Sequence, residues 1–234
     1  MFKLLLSVAI LFLTSACSNQ PKPAALKPTI KSIAIIPATN PSSYTLENVS
    51  ALQFLIPLAA TANYFDSKQK AKTFNEKLLA RQLFLGQSFT DAIADSLRSH
   101  GYQVQILEEV SRPVDDIDNV NYANLATNAD AVLHVKLTEV GLFSPRSSTN
   151  YLPRVNAHGT LFIKGENDYL YDQDIYYGVD ASKGKAWAIA SDKKFAFPTF
   201  EVIVANMDEV RNAFETGVHE ISKRMSEQIN DLIK

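Results

Sequence analysis

Ser32-Ile33-Ala34-Ile35-Ile36-Pro37 is a short apolar run, largely β-branched and closed by a proline. Its brevity and composition make it a buried strand. Asn40-Pro41-Ser42-Ser43 marks a turn behind it. Residues 67–99 then place Phe74, Leu78, Leu85, Phe89, Ile93 and Leu97 at three-to-four spacing, with one longer step and charges between. That is the buried stripe of helical chain, with Gly86 as the point where it divides in two. Gly101 follows His100 as a left-handed cap, and Tyr102-Gln103-Val104-Gln105-Ile106-Leu107 alternates as a strand. Strand, helix and strand in that order decide for the α/β class.

The rest of the chain extends this opening. Residues 108–118 are polar and contain Pro113, which makes them loop, and residues 121–127 read as a short helix. Residues 131–142 form a long strand, with Leu133, Val135 and Leu137 on one face and His134, Lys136 and Thr138 on the other. Residues 151–164 alternate again, Val155, Ala157, Leu161 and Ile163 sharing a face. Gly165-Glu166-Asn167-Asp168 is a hairpin turn, and residues 169–179 return. Trp187, Phe195, Phe197 and Phe200 with Pro198 indicate a packed loop and then a short helix. Asn206 and Glu209 have capping-box spacing. Val210, Phe214, Val218, Ile221, Met225, Ile229 and Leu232 stripe a final helix. The order β–α–β–α–β–β–β–α predicts an α/β fold with a single mixed β-sheet covered by helices.

Ahead of the first strand the chain reads as an address. Met1-Phe2-Lys3 carries one positive charge, residues 4–13 are apolar apart from Ser7, and Thr14-Ser15-Ala16 are small. This is the order of a secretory signal, too short for the about 20 residues that span a bilayer. A small residue before a cysteine at the end of such a run resembles the lipobox of bacterial lipoproteins. The family commonly has leucine where Thr14 stands. The resemblance implies cleavage before Cys17, acylation (palmitate) of that residue, and, with Ser18 rather than aspartate next, an outer-membrane location facing the periplasm. Cys17 is the only cysteine, so the fold stands without an intramolecular disulfide. Residues 17–30 hold Pro21, Pro23 and Pro28 with little apolar content and form a tether. Residues 31–234 are expected to be one periplasmic domain.

Composition narrows the function classes. Loss of residues 1–16 removes Lys3 and leaves 22 of the 23 basic residues against 25 acidic ones. That balance lacks the basic face of a nucleic-acid binder. With 46% hydrophobic residues a sizeable core is available, and only 8 glycines argue against phosphate-cradling loops. Residues 49–65 stand out. Leu52, Phe54, Leu55, Ile56 and Leu58 leave almost no polar face, no charge occurs between Glu47 and Asp66, and Pro57 interrupts the run. This segment is either a kinked core helix or packed loop, or a contact with membrane or another subunit.

The lipobox, Ile33-Ala34-Ile35-Ile36-Pro37, the helix ending Asp95-Ser96-Leu97-Arg98-Ser99-His100-Gly101-Tyr102, and Ala129-Asp130-Ala131-Val132-Leu133 together resemble periplasmic lipoproteins built on the N-terminal domain of TolB. That group includes the curli-secretion lipoprotein CsgG and the lipoprotein activators of penicillin-binding proteins. The resemblance implies a shared fold and envelope location with differing tasks, none of them enzymatic through this domain. The strands at 151–179 carry His158, Lys164, Asp172 and Asp174, which is unlike the lipid-facing hairpins of the curli exporter.

Site chemistry is sparse. Asp168, Asp172 and Asp174 near Glu166 lack the spacing and glycine of a calcium loop and read as a solvated hairpin. His134 and His158 could approach on adjoining strands but have no third zinc ligand nearby, and His100 and His219 read as solvated. No Gly-x-Ser-x-Gly, phosphate loop or His-Glu-x-x-His occurs. Tyr151, Tyr169, Tyr171, Tyr176, Tyr177 and Trp187 give an aromatic-rich second half suited to a core or to an interface. No cofactor, metal or catalytic residue is therefore expected. The expectation is a non-enzymatic, lipid-anchored envelope lipoprotein that binds or scaffolds another envelope protein. Interface residues would be Leu52, Phe54, Leu55, Ile56, Leu58 and Trp187. The alternatives are a self-assembling component of an export or transport apparatus, forming homo-oligomers, and a hydrolase with dispersed residues.

Overall fold

Ile33, Ala34, Ile35 and Ile36 are fully buried, and the sheet is built outward from the strand they form. The computed structural model describes residues 29–49, 60–108, 110, 120, 122, 125–146, 148–163, 168–179 and 188–234, with residues 60–65 described by backbone alone. The elements run β1 (Ser32–Ile36), β2 (Thr45–Asn48), α1 (Ala60–Leu79), α2 (Leu85–Ser99), β3 (Gln103–Ile106), β4 (Ala131–Ser144) and β5 (Leu152–Ile163). There follow β6 (Tyr169–Gly178), β7 (Ala188–Ile189), a 3-10 turn (Lys193–Phe195), α3 (Phe200–Ala205) and α4 (Met207–Ile233).

The strands make one mixed 7-stranded sheet in the order β3-β1-β4-β5-β6-β7, with β2 lying against β4 beyond β1. β1 is parallel to both neighbours, Ser32 facing Gln103 and Ile33 facing Ala131. β4, β5 and β6 form an antiparallel meander, and β7 joins β6 in parallel. Asp130 clasps the start of β1 to that of β4. Its carboxylate accepts from the N–H of Lys31 (2.9 Å), the N–H of Ser32 (2.9 Å) and Ser32 Oγ (2.8 Å), while its own N–H donates to Ser32 Oγ at 3.0 Å.

The described helices all pack on one face. Phe74 and Leu78 of α1, Phe89, Ile93 and Leu97 of α2, Ile203 of α3, and Phe214, Val218, Ile221, Met225 and Ile229 of α4 join one core with Ile33, Leu133, Val155, Leu161 and Tyr177. Each such large side chain contributes about 1.5–3 kcal/mol by leaving water. The β1-to-β3 connection crosses this face. On the opposite face Leu107, Val120 and Ala129, described residues between β3 and β4, cover Ala34, Ile36 and Val132, as a right-handed crossover requires.

Several expectations are corrected. The helical stretch breaks at residues 80–84, where Gln82 has φ 49°, and not at Gly86. Gly86 lies inside α2, where a Cβ would stand 2.6 Å from the carbonyl oxygen of Ala38, so only a hydrogen admits that loop. Asn206 caps nothing with its side chain. Its amide Nδ2 donates backward to Val202 O at 2.8 Å, and Thr199 caps α3 instead by accepting from Val202 N–H. Leu232, expected in the buried stripe, is 44% exposed. Residues 125–127 are not helical, β2 adds a strand just behind the turn expected at residues 40–43, and β7 adds one where loop was expected. Both are short and only half-buried, which leaves little local signal.

Candidate functional site: the face of the sheet opposite the helices

Alternation along β4, β5 and β6 sends one set of side chains to the helices and the other to a face that no described helix covers. Residues on that second face meet in three groups, two of them placed by irregularities in the ladder.

The first group centres on His158. The register slips between Leu161 and Phe162, which sets His158 opposite Asp174 and Thr160 opposite Asp172. His158 Nδ1 is 2.9 Å from Asp174 Oδ1, and Nε2 is 3.0 Å from both Asp172 Oδ1 and Thr160 Oγ1. Thr160 Oγ1 donates to Asp172 Oδ1 at 3.1 Å, and the Tyr176 hydroxyl donates to Asp174 Oδ2 at 3.3 Å. Lys136 stands directly across β4 from His158. Threonine, histidine and aspartate thus follow one another as in a nucleophile, base and orienting acid. Asp172 however shares Nε2 with the hydroxyl. β5 also has a partner on each side, so its main-chain N–H groups are committed to the ladder and unavailable to stabilise an oxyanion.

The second group centres on Arg154, 9% exposed. Its Nη1 is 2.7 Å from Glu139 Oε1 and 3.6 Å from Glu47 Oε2, and its guanidinium lies 4.1 Å over the ring of Phe143. A second slip, between Leu137 and Glu139, turns Glu139 to this side.

The third group closes the end near β1. His134, 1% exposed, pairs through Nδ1 with the Tyr122 hydroxyl at 2.7 Å. Phe162 stacks edge-on with Tyr122 and with Tyr169, which is 58% exposed. Beyond them a cleft of about 820 Å³ lies between the β1–β3 end of the sheet and residues 125–129.

Cys17, Leu52, Phe54, Leu55, Ile56, Leu58 and Trp187 all lie outside the described residues, as does Glu166. His134 and His158 stand on one face of adjoining strands, one diagonal step apart, with His134 opposite Thr160 and bonded to Tyr122 and His158 opposite Lys136. Among the described residues no three His, Cys, Asp or Glu side chains are disposed to hold a metal ion. Asp172 and Asp174, read as a solvated hairpin, bond His158. Of the aromatics, Tyr151, Tyr171 and Tyr177 belong to the core and Tyr169 to the surface. Burial pushes the Tyr171 hydroxyl up, and it donates to Gln228 Oε1 at 2.7 Å; burial pushes Tyr177 up to about 12. Arg154, Glu139 and Glu47 escape a reading of the sequence, where only the charges inside apolar strands signal them.

No protein-family model and no curated protein matches the sequence. Solved structures similar to the chain include XCC0632 from Xanthomonas campestris, assigned to DUF330, at 8% identity and TM-score 0.39 over 63% of this chain and 62% of that one. The chain therefore spans less than two thirds of that protein. The hypothetical protein CT253 from Chlamydia trachomatis is similar at 11% identity and TM-score 0.36, over 84% of this chain and 96% of that one. Lipoprotein GNA1162 from Neisseria meningitidis is similar at 16% identity and TM-score 0.27, over 77% and 98%. None of these scores supports a statement about what the chain binds or catalyses. No described helix is long and apolar enough to cross a membrane.

Proposed function

We propose that the chain is a lipoprotein of the bacterial outer membrane, held by acyl chains on Cys17 and facing the periplasm, that binds another envelope protein without catalysis. The observation that carries this is Leu13-Thr14-Ser15-Ala16-Cys17, in which an apolar signal run ends in small residues and the only cysteine. Several acyl chains hold firmly where one binds only marginally. Pro21, Pro23 and Pro28 then space the folded part from the lipid. Kinship with the N-terminal domain of TolB and with CsgG belongs to the same proposal, supported by the strand–helix–strand opening and the parallel strand after Asp130.

The binding role is supported by the aromatic side chains at one end of the sheet face opposite the helices, where Tyr169 is 58% and Tyr122 36% exposed, since aromatic residues are enriched at interfaces.

The test is metabolic labelling with palmitate followed by membrane fractionation. The wild-type chain should carry label and sediment with the outer membrane, and Cys17→Ala should lose both. Recovery of the wild type mainly as an unacylated soluble form would overturn the proposal.

A further inference from the structure

β3 is the outermost strand on its side of the sheet and, among the described residues, pairs with β1 alone. Gln103 N–H donates to Lys31 O and Leu107 N–H to Ile35 O, each at 2.9 Å. Bonding residues alternate along a parallel ladder, so Val104 and Ile106 turn their N–H and C=O groups away from β1. Two donors and two acceptors therefore stand in a row at the edge. Natural sheets blunt such edges with charge, proline, a bulge or extreme shortness. The opposite edge is blunted in the last way, since β7 is 2 residues long. Tyr102-Gln103-Val104-Gln105-Ile106-Leu107 has no charge and no proline, and its register with β1 is unbroken.

The space beside this edge has a matching chemistry. The cleft of about 820 Å³ is lined by Ser32, Gln103 and Gln105 from the sheet and by Leu125, Thr127 and Asn128 across from them. Its polar side chains are neutral amides and hydroxyls. Gln105 Oε1 accepts from Thr127 Oγ1 at 2.8 Å, while among the described residues the Gln103 and Asn128 amides make no hydrogen bond. Asp130, next in the chain to the lining residue Ala129, is engaged by Lys31 and Ser32. Amides both donate and accept, as peptide groups do, and none of the described lining side chains carries a charge to compensate an ionic ligand.

We propose that β3 and this cleft take an extended, uncharged segment of a partner polypeptide, added to the sheet as a further strand. Its main chain bonds Val104 and Ile106, and alternate side chains enter the cleft over Gln103 and Gln105. A second copy of this chain, paired β3 to β3, would set Gln105 against Gln105 and leave the cleft unfilled. The inference names how the partner of the proposed function is held. It rests on the binding half of that reading and not on acylation of Cys17.

The test uses the full-length chain in detergent, panned with a displayed library of short random peptides. The selected peptide is then synthesised in two forms, plain and with alternate main-chain nitrogens methylated. Selected sequences should be uncharged and proline-free, and N-methylation should weaken binding about tenfold or more, the equivalent of one or two lost hydrogen bonds. Val104→Pro removes an outward N–H without breaking a bond to β1, at the cost of some packing of the Val104 side chain, and should weaken binding similarly. If Val104→Pro does not fold, Gln105→Lys, altering an exposed side chain, serves instead and should also weaken binding. Selection of no peptide, equal binding of the methylated form, or a dimer whose Val104 and Ile106 amides resist hydrogen exchange would each overturn the proposal, the last by giving the edge to a second copy. Because peptide binding is read without reference to lipid, its failure is distinguishable from failure of the anchor.

Discussion

Arg154 Nη1 lies 2.7 Å from Glu139 Oε1, a pairing that exists because β4 slips against β5 between Leu137 and Glu139. Strict alternation would carry Glu139 to the helix side, with Val135 and Leu137. The slip turns the carboxylate outward, where Arg154 also lies over Phe143. Arg154→Met keeps the buried stem and removes the fork. Glu139 and Glu47 stay partly hydrated, so the loss falls below the about 3–5 kcal/mol of a broken, fully buried pair, and about 1–2 kcal/mol is expected. Glu139→Gln keeps an acceptor and should cost about 1 kcal/mol or less. Urea unfolding at neutral pH measures both, and a larger loss in Glu139→Gln would contradict the assignment.

At Gly217 the backbone of α4 lies close against the sheet. A Cβ there would stand 2.7 Å from Tyr177 Cδ1 and 2.9 Å from Val155 Cγ2, both on buried side chains. At Gly159 the obstacle is Met225, with Sδ at 2.6 Å, the far end of a flexible chain. Gly217→Ala gains about 1 kcal/mol of helix propensity but overpacks the core by about 1–3 kcal/mol, and should be destabilising. Gly159→Ala should lose less, because Met225 can turn aside. Thermal unfolding of the two variants ranks them, and the reverse order would show that the tyrosine yields more readily than the methionine.

The contrast between these contacts and β1 shows what the sequence makes legible. Ile33, Phe89 and Phe214 declare themselves through local periodicity, and each is buried as that periodicity requires. The face opposite the helices does not. Pairing onward from Phe162 opposite Tyr169 would set His158 opposite Gln173; one extra residue at the Leu161/Phe162 slip sets Asp174 there instead. Glu139 is aimed by the same kind of slip. A bulge shifts every later side chain by one place, yet its local sequence looks like ordinary strand. The cleft beside β3 is hidden for another reason: its walls are residues 103–105 and 125–129, which meet only after the chain has crossed the sheet.

The α2–α4 contact contains three small hydroxyls in different circumstances. Ser222 Oγ donates to Val218 O at 2.8 Å, within its own helix, whereas Ser226 Oγ pairs with Ser96 Oγ across the contact. Ser222→Ala exchanges a local bond for better helix propensity and should change stability by about 0.5 kcal/mol or less. Ser226→Ala should cost about 1 kcal/mol through the lost partner of Ser96. Ser226→Leu should cost more, since Ser226 is fully buried and the helices have no room to part. Guanidinium unfolding at fixed pH distinguishes the three.

Asp130 supplies the pH dependence. The main-chain N–H groups of Lys31 and Ser32, with the Ser32 hydroxyl, bond its ionised carboxylate and hold it below the usual carboxylate range. In the unfolded chain an aspartate returns to about 3.9, so near that pH the unfolded state binds more protons and stability rises with pH. The contribution is therefore fully present above the unfolded value and disappears as pH falls through the lower, folded one. Because the carboxylate is exposed, screening keeps the effect modest. Asp130→Asn keeps one acceptor oxygen but no charge. It should be less stable than the wild type at neutral pH, and the gap should narrow as the medium is acidified past about pH 4. Stability measured by urea titration across that range gives the two curves; parallel curves with a constant gap would show that the clasp between β1 and β4 works through shape alone and not through the charge.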